Sequence, residues 1–253
     1  MTSDITAPLV IGATGGSGTR VLARIVRKAG FFIGANLNHA EDSMEFPDLY
    51  DRWLNRYLLR DIAPLTAEEE ALLLQDFVAA VERHRSPAAG SIRWGWKEPR
   101  SIYVLPLLDR QWPELKFIHV VRDGRDMAFS DNQNQCRKHG PAVLRCELRD
   151  APQPVRSAAL WARINSETAA FGETRMAGRY LRVHYEKLCS DPRSTISEIL
   201  RFLESADSVP DDEMLREVAP PGSIGRWRHL GEPSIMDWIY SVAGEALRRF
   251  GYC

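Results

Sequence analysis

The stretch Pro8–Ala23, PLVIGATGGSGTRVLA, decides the fold of this chain. It opens with Leu9-Val10-Ile11, a short run rich in β-branched residues and closed by a glycine, which predicts a buried strand. The glycine-rich loop Gly12–Thr19 comes next. After Thr19, apolar residues recur at helical spacing with basic residues between them, which predicts an amphipathic helix. We therefore expect a strand, a glycine loop and a helix in succession.

Such a loop can bind an anion, because glycine adopts left-handed backbone angles that turn several N–H groups into one concavity. The start of the following helix adds unpaired N–H groups and a partial positive charge. We expect a phosphate cradle, and the alternative is a tight turn without a ligand. Gly18 stands where the lysine of the nucleoside triphosphatase signature would be. The cradle therefore suits a nucleotide whose terminal group carries less charge and needs no metal.

Composition narrows the class of protein. The chain has 253 residues, 44% of them hydrophobic and 26% charged, which is typical of one globular domain over residues 1–253. The formal net charge of -1 argues against nucleic acid or an acidic membrane as partner. Residues 1–7 lack the features of a signal peptide, and no apolar run is long enough to cross a membrane. The chain has four cysteines, Cys136, Cys146, Cys189 and Cys253. They have neither metal-ligand spacing nor the density of a disulfide framework, so we expect a cytoplasmic protein without a metal site.

A second candidate site residue follows another predicted strand. Thr66–Glu69 is a capping box that predicts a helix to about Arg85, and Ser91–Trp96 then alternates as a strand. This strand leads directly into Lys97. Ligands of open parallel α/β sheets bind at the ends of strands, so we expect Lys97 to direct a cation into the site. A solvated strand end is the alternative.

The third candidate pair lies in VVRDGRDMAFS, residues 120–130. Leu115–Val121 predicts a buried strand that places Arg122 at its end and Ser130 about two turns into the next helix. One guanidinium and one hydroxyl can then contact a single phosphate from two sides. The alternative is that Arg122 pairs with Asp123 or Asp126.

The rest of the chain continues the alternation of strands and helices. Asp131–Pro154 has no regular pattern, and residues 132–154 are a candidate lid or acceptor loop. A late loop holds Arg226-Trp227-Arg228, which can stack on a base and pair with phosphate or simply anchor the last helix. The predicted elements in between are a helix over Val155–Met176, a strand over Arg179–Tyr185, a helix from Asp191-Pro192 and a last helix over Ser234–Phe250. This order predicts an α/β protein with three layers, α/β/α, around a central parallel sheet.

Four pieces in fixed order carry a resemblance: the cradle, the strand that ends in Lys97, VVRDGRDMAFS and the late glycine and arginine loop. Together they resemble the sulfotransferases that use 3′-phosphoadenosine 5′-phosphosulfate (PAPS), over about Pro8 to Leu230. The resemblance implies a fold like that of the P-loop NTPases. It also implies transfer of a sulfuryl group from PAPS to a hydroxyl or amine of a small-molecule or saccharide acceptor, leaving 3′-phosphoadenosine 5′-phosphate (PAP).

The resemblance also implies roles for individual residues. The 5′-phosphosulfate would be held by Gly15, Gly16, Ser17, Gly18, Thr19 and Arg20, and the 3′-phosphate by Arg122 and Ser130. Tyr185 and Trp227 would lie near the adenine, Arg226 and Arg228 in the loop that closes over the nucleotide, and Lys97 at the sulfuryl group. The candidates for the base that deprotonates the acceptor are, in order, Glu41, His39, Asp42 and Glu98.

The sequence leaves open the effect of one departure from the family pattern, and it leaves open two rival functions. Many members carry a basic residue where this chain has Gly16, so either Lys97 and Arg20 supply that charge or the enzyme is slow or inactive. A kinase-like phosphotransferase with a degenerate loop predicts ATP binding and magnesium dependence. A nucleotide-binding module without catalysis is supported by Gly16 alone. The sequence predicts neither the acceptor nor the oligomeric state.

Overall fold

The computed structural model describes residues 7–88, 90, 93–205 and 209–252. Residues 1–6, residue 89, residues 91 and 92 of the predicted second strand, residues 206–208 and Cys253 lie outside the described part of the chain. The described strands are β1 (Leu9–Ala13), β2 (Gly95–Lys97), β3 (Lys116–Val121) and β4 (Tyr180–His184). The described α-helices are α1 (Thr19–Lys28), α2 (Pro47–Leu58), α3 (Ala67–Arg85), α4 (Leu105–Gln111), α5 (Gly124–Ala128), α6 (Asn134–Leu144), α7 (Gln153–Arg175), α8 (Tyr185–Ser190), α9 (Pro192–Phe202), α10 (Asp212–Arg216), α11 (Trp227–Leu230) and α12 (Pro233–Arg249).

The four strands form one parallel sheet in the order β2-β1-β3-β4. Successive side chains of β1 point to opposite faces of the sheet and pack in different hydrophobic clusters. Val10 packs with α2, α3 and α7, whereas Leu9 and Ile11 pack with α1 and α9. Helices therefore cover both faces of the sheet. The predicted three-layer α/β/α fold with a central parallel sheet is confirmed.

The carboxyl ends of all four strands carry residues that the sequence singled out. The glycine loop follows β1, Lys97 ends β2, Arg122 follows β3 and Tyr185 follows β4. Since β1 lies between β2 and β3, the chain crosses from one side of β1 to the other between these two strands. This crossover is the switch point at which open α/β sheets bind their ligands.

Local sequence signals set some helix boundaries well. Helix α3 begins and ends where predicted, and its capping box is complete: Glu69 N–H donates to Thr66 Oγ1 at 3.1 Å, and Thr66 N–H donates to Glu69 Oε2 at 2.8 Å.

The expectation of an irregular stretch over Asp131–Pro154 is wrong, because residues 134–144 form helix α6. This helix contains Pro141, which obscures the helical pattern in the sequence. Burial of one face against α7 and α2 stabilises the helix despite the proline.

A buried hydrogen-bond chain lies under the glycine loop. Asn165 Nδ2 donates to Trp161 O at 2.7 Å and to Thr14 Oγ1 at 3.5 Å, so its Oδ1 accepts from His119 Nε2 at 2.8 Å. His119 Nδ1 then accepts from the Tyr180 hydroxyl at 2.6 Å. Complete burial lowers the pKa of His119 to about 3. The imidazole is therefore neutral and links β3 and β4 to the loop.

We expect this buried histidine to make the fold sensitive to acid. The unfolded chain takes up a proton near pH 6.5 and the folded chain only near pH 3, so the contribution of His119 is complete above pH 6.5 and is lost as the pH falls toward 3. In that window the free energy of unfolding should fall by up to about 1.4 kcal/mol per pH unit for this one group. Urea titrations of the wild type and His119→Gln across pH 7 to 5 measure it, and the variant should show the shallower slope. His229→Gln, at an exposed position, is the control. Equal slopes for wild type and His119→Gln would contradict the prediction.

Candidate functional site

A cleft of about 430 Å³ opens where the glycine loop meets the end of β2. Its walls are the loop and the start of α1, Ala40 and Asp42, residues 97–100, and side chains of the 132–139 segment. A cavity of similar size, about 460 Å³, lies between α2, α6 and α7 and is lined by none of the predicted site residues. The cleft is therefore the candidate site.

The glycine loop offers donors to this cleft. The backbone N–H groups of Gly15, Gly16 and Gly18 make no hydrogen bond to any described residue. The Ser17 hydroxyl, by contrast, donates to Thr14 O at 2.7 Å and so faces the loop itself. Thr19 and the exposed Arg20 line the cleft at the start of α1. This set of free N–H groups, one hydroxyl and one cation matches an anionic group.

Gly18 allows a close contact that no other residue could make. Its φ is 81°, and a Cβ atom placed on it would lie 2.1 Å from Cε2 of Tyr185. The tyrosine ring at the end of β4 thus rests directly on the loop. Burial is the main cause that raises the pKa of Tyr185 to about 12, so its hydroxyl is un-ionised at neutral pH.

Gly16 stands where many members of the resembled family carry a basic residue, and its surroundings leave little room for a side chain. Its φ is 87°, and a Cβ atom there would lie 3.2 Å from Cε of Met127 and 3.5 Å from the Ser130 hydroxyl. A basic side chain at this position would be strained and would point at these two residues. Arg20 and Lys97, the two cations expected to replace this charge, both line the cleft.

Arg122 connects the loop with the late segment of the chain. Its Nη1 donates to Gly16 O at 3.3 Å, and its Nη2 donates to Ser223 O at 2.8 Å and to Ser223 Oγ at 2.9 Å. The guanidinium lies 5.3 Å from the centre of the Tyr185 ring and 3.7 Å from the Asp126 carboxylate. Its Nε is buried and has no hydrogen-bond partner among the described residues. The alternative pairing with Asp126 is thus present only as a long contact. Nη1 is turned toward the glycine loop and Nη2 toward Ser223.

Ser130 is not inside a helix as predicted, because α5 ends at Ala128. The Gln133 side chain ends the helix by donating to Met127 O at 3.1 Å and to Ser130 O at 2.6 Å. The Ser130 hydroxyl accepts from the N–H of Asn132 at 3.3 Å and still lies beside Gly16. Arg122 and Ser130 therefore meet the loop at the same glycine.

The late loop is fastened to α5. Asp126 accepts from the N–H groups of Gly225 at 2.8 Å and Trp227 at 3.3 Å. Arg226 Nη1 donates to Phe129 O at 3.3 Å. The Trp227 ring has two guanidinium neighbours, at 4.0 Å from Arg125 and 4.8 Å from Arg228. These contacts anchor the loop, and a role of Arg226, Trp227 and Arg228 toward a nucleotide stays a prediction.

Lys97 lies in the cleft and its charge is already paired. The side chain is 2% exposed, its Nζ donates to Ala40 O at 2.8 Å, and it forms an ion pair with Asp42. The residue sits opposite Ile11 of β1, one strand from the glycine loop. The ammonium is thus fixed in position at the wall of the cleft.

The four candidate bases separate into two groups. Asp42 and Glu98 line the cleft, whereas Glu41 and the exposed His39 do not. Glu41 is held by Arg24 at 2.6 Å and Arg27 at 2.8 Å; these partners outweigh burial and lower its pKa. Burial raises the pKa of Glu98, which accepts from Arg100 Nε at 2.9 Å.

Polar residues of α6 that were not predicted as site residues also line the cleft, among them Gln135, Lys138 and His139. Gln135 lies 3.4 Å from the Cβ position of Gly15, and its Oε1 accepts from the Tyr103 hydroxyl at 2.9 Å. The expectation of a lid or acceptor loop over 132–154 pointed to this region. It gave no side chain of the stretch a role, because the helical phase that brings these residues to one wall was not recognised.

Comparison with known proteins identifies the class. The sulfotransferase family model matches residues 8–208, and so the chain belongs to the sulfotransferase family. No match was found among curated proteins. Among the described residues, no helix is long and apolar enough to cross a membrane, and no three or more His, Cys, Asp or Glu side chains are grouped to hold a metal ion.

Solved structures share the fold at low sequence identity. The sulfotransferase domain of the Synechococcus PCC 7002 olefin synthase is 20% identical, with a TM-score of 0.56 over 100% of this chain and 98% of that one. The sulfotransferase domain of the curacin biosynthetic pathway is 13% identical, with a TM-score of 0.60 over 99% of each chain. Mouse sulfotransferase SULT7A1, solved with PAP, is 14% identical, with a TM-score of 0.55 over 96% of this chain and 85% of that one.

Proposed function

We propose that this sulfotransferase uses PAPS and transfers its sulfuryl group to a hydroxyl or amine of a small-molecule or saccharide acceptor. The observation that supports this most directly is the hydrogen bond from Arg122 Nη1 to Gly16 O. It joins the residue expected at the 3′-phosphate to the loop expected at the 5′-phosphosulfate. One doubly phosphorylated adenosine can therefore reach both groups. The cytoplasmic location stays a prediction.

The residues present fit such a cofactor. The free N–H groups of the glycine loop, with Thr19 and Arg20, would hold the 5′-phosphosulfate. Arg122, whose buried Nε has no partner in the described part of the chain, would hold the 3′-phosphate together with Ser130. A bound PAPS would supply an activated sulfuryl group joined to a phosphate that can leave. Tyr185 packs against both groups of residues and would support the nucleotide between them.

The chemistry that the chain itself contributes is alignment and charge. Lys97 is fixed at the cleft wall by Asp42 and Ala40, so its ammonium needs no rearrangement before it stabilises negative charge. The cleft walls confine an acceptor next to the loop, which favours in-line attack. Of the four predicted bases, Asp42 and Glu98 remain candidates, because both line this cleft.

The rival function is a kinase-like phosphotransferase, and calorimetry separates the two. We expect PAP to bind and ATP to bind more weakly, because ATP lacks the 3′-phosphate that Arg122 and Ser130 would contact. Tight binding of ATP with no binding of PAP would overturn the proposal. Binding of PAP without turnover across an acceptor screen with labelled PAPS would favour a nucleotide-binding module instead.

We expect Arg122→Ala to weaken PAP binding at least tenfold, since a charge-assisted hydrogen bond to phosphate contributes about 1.5–3 kcal/mol. Isothermal titration calorimetry measures this. The matched control is Arg110→Ala, which removes an exposed arginine paired with Glu70. If the affinity of Arg122→Ala equals that of the control, Arg122 does not contact the nucleotide.

A further inference from the structure

The turn between β3 and α5 carries Arg122, and side chains from distant parts of the sequence hold its main chain. The carbonyl oxygen of Arg122 accepts from Trp161 Nε1 of α7 at 2.9 Å. The N–H of Asp123 donates to Glu186 Oε1 of α8 at 2.9 Å. A Cβ atom placed on Gly124 would lie 2.4 Å from the Trp161 ring, so the turn rests directly on that ring. Both polar groups of the peptide that joins Arg122 to Asp123 are therefore fixed by side chains.

Glu186 also binds the segment that follows α12. Its second oxygen, Oε2, accepts from the Tyr252 hydroxyl at 2.9 Å. Because this hydrogen is used, the Tyr252 hydroxyl oxygen can only accept from His184 Nδ1, which lies 3.3 Å away. The Tyr252 carbonyl oxygen accepts from Arg125 Nη2 at 2.5 Å, and the same Nη2 donates to the Asp123 carboxylate at 2.8 Å. Tyr252 is thus bonded to the turn through two different side chains.

Glu186 stands next to the other nucleotide residue at the strand ends. It follows Tyr185 in the chain, and the Tyr185 ring packs on Gly18 of the glycine loop. The guanidinium of Arg122 lies 5.3 Å from the centre of this ring. By bonding the peptide group after Arg122, Glu186 fixes the end of β3 relative to the end of β4. The orientation of the Arg122 guanidinium depends on this connection, and a charge-assisted bond to phosphate requires good geometry.

We propose that Glu186 and Tyr252 are positioning residues that hold Arg122 in the orientation that recognises a 3′-phosphate. The inference rests on the proposed function, because it requires this phosphate to bind at Arg122. Glu186 acts on the peptide group after Arg122, and Tyr252 acts on Glu186. Their removal weakens recognition of the 3′-phosphate and leaves the contacts of the glycine loop with the 5′ end intact.

Two nucleotides that differ only in the 3′-phosphate provide the test. PAP carries this phosphate, and adenosine 5′-monophosphate (AMP) lacks it. Isothermal titration calorimetry gives the dissociation constant of each, and we expect the wild type to bind PAP more tightly than AMP. The ratio of the two dissociation constants measures the contribution of the 3′-phosphate contact. A general loss of stability lowers both affinities together and does not change this ratio.

Three variants separate position from bulk structure. Glu186→Ala removes both acceptor oxygens, and we expect it to weaken PAP binding about tenfold and leave AMP binding unchanged, because Arg122 is no longer held in place. Glu186→Gln keeps an oxygen for the N–H of Asp123 and offers an amide to Tyr252, so it should retain the wild-type ratio. Tyr252→Phe keeps the ring and removes one hydrogen bond, and PAP binding should weaken about threefold.

Tyr240→Phe is the matched control. The Tyr240 hydroxyl accepts from Arg125 Nη1 at 3.1 Å, and Arg125 is its hydrogen-bond partner among the described residues. Loss of this hydroxyl should leave the ratio at its wild-type value. Thermal unfolding shows which variants fold, and Tyr252→Phe, which loses a single oxygen atom, keeps the inference testable if Glu186→Ala does not fold.

The possible outcomes distinguish the inference from the proposed function. Wild-type ratios in Glu186→Ala and Tyr252→Phe, or equal losses of PAP and AMP affinity, would overturn the inference. Equal losses of PAP affinity in Glu186→Gln and Glu186→Ala would also overturn it, since the amide preserves the hydrogen bond to Asp123. A wild type that binds PAP no more tightly than AMP would overturn the proposed function itself.

Discussion

Lys97→Met is expected to lower the turnover number by about 100- to 1,000-fold, the range seen when one preorganised charge donor is removed from an active site. The Nζ atom is held at the cleft wall by Ala40 O and Asp42, so the cation is in place before transfer begins. Its contribution should therefore appear mainly as charge develops on the sulfuryl group and the leaving phosphate. PAP affinity should change much less. Turnover with an acceptor found by the labelled screen and calorimetry with PAP measure the two effects.

A matched lysine tests whether the effect is local. Lys116 begins β3, at the amino ends of the strands and so opposite to the end that carries Lys97. Its Nζ donates to Phe202 O at 2.9 Å and pairs with Glu204. Lys116→Met removes a comparable side chain far from the cleft and should leave turnover unchanged. The prediction fails if the Lys97 variant loses PAP affinity and keeps its turnover number, since Lys97 would then be a binding residue.

Gly18→Ala is expected to reduce PAP affinity by about 100-fold, because small displacements of positioning groups in a site carry costs of this size. The added methyl would lie 2.1 Å from the Tyr185 ring, so either the loop or the ring must move. Both elements belong to the proposed nucleotide site. Calorimetry with PAP measures the loss, and thermal unfolding shows whether the variant remains folded.

Gly30→Ala separates strain in the backbone from collision with a neighbour. Gly30 also has a left-handed φ, 86°, but nothing lies within 4 Å of its Cβ position. Alanine there should cost about 1–2 kcal/mol of stability and leave PAP binding intact. If the two variants bind PAP equally well, the contact between Gly18 and Tyr185 does not shape the site.

Some parts of the site were predictable because they depend on short-range pattern. The strand before the glycine loop, the helix after it, the strand before Arg122 and the capping box of α3 follow from periodicity and from residue types with one local role. The candidate site residues were expected to lie close together, because the carboxyl ends of parallel strands meet on one side of the sheet.

Other parts depended on side-chain contacts that no local pattern encodes. Glu41 ranked first among the candidate bases, yet Arg24 and Arg27 hold it outside the cleft. His139 was given no role from the sequence, because its environment is made by Asn55 from α2 and by Arg100, which are both distant in the chain. Pro141 concealed the helix that carries it.

The sequence by itself determined the class of fold, the glycine loop and the residues at the strand ends, because hydrophobic periodicity and glycine content act over a few neighbouring residues. Only the tertiary structure decided which charges are paired and which N–H groups of the glycine loop lack a partner among the described residues. Pairing and burial depend on residues that are far apart in the chain and meet only when the sheet and its helices have packed.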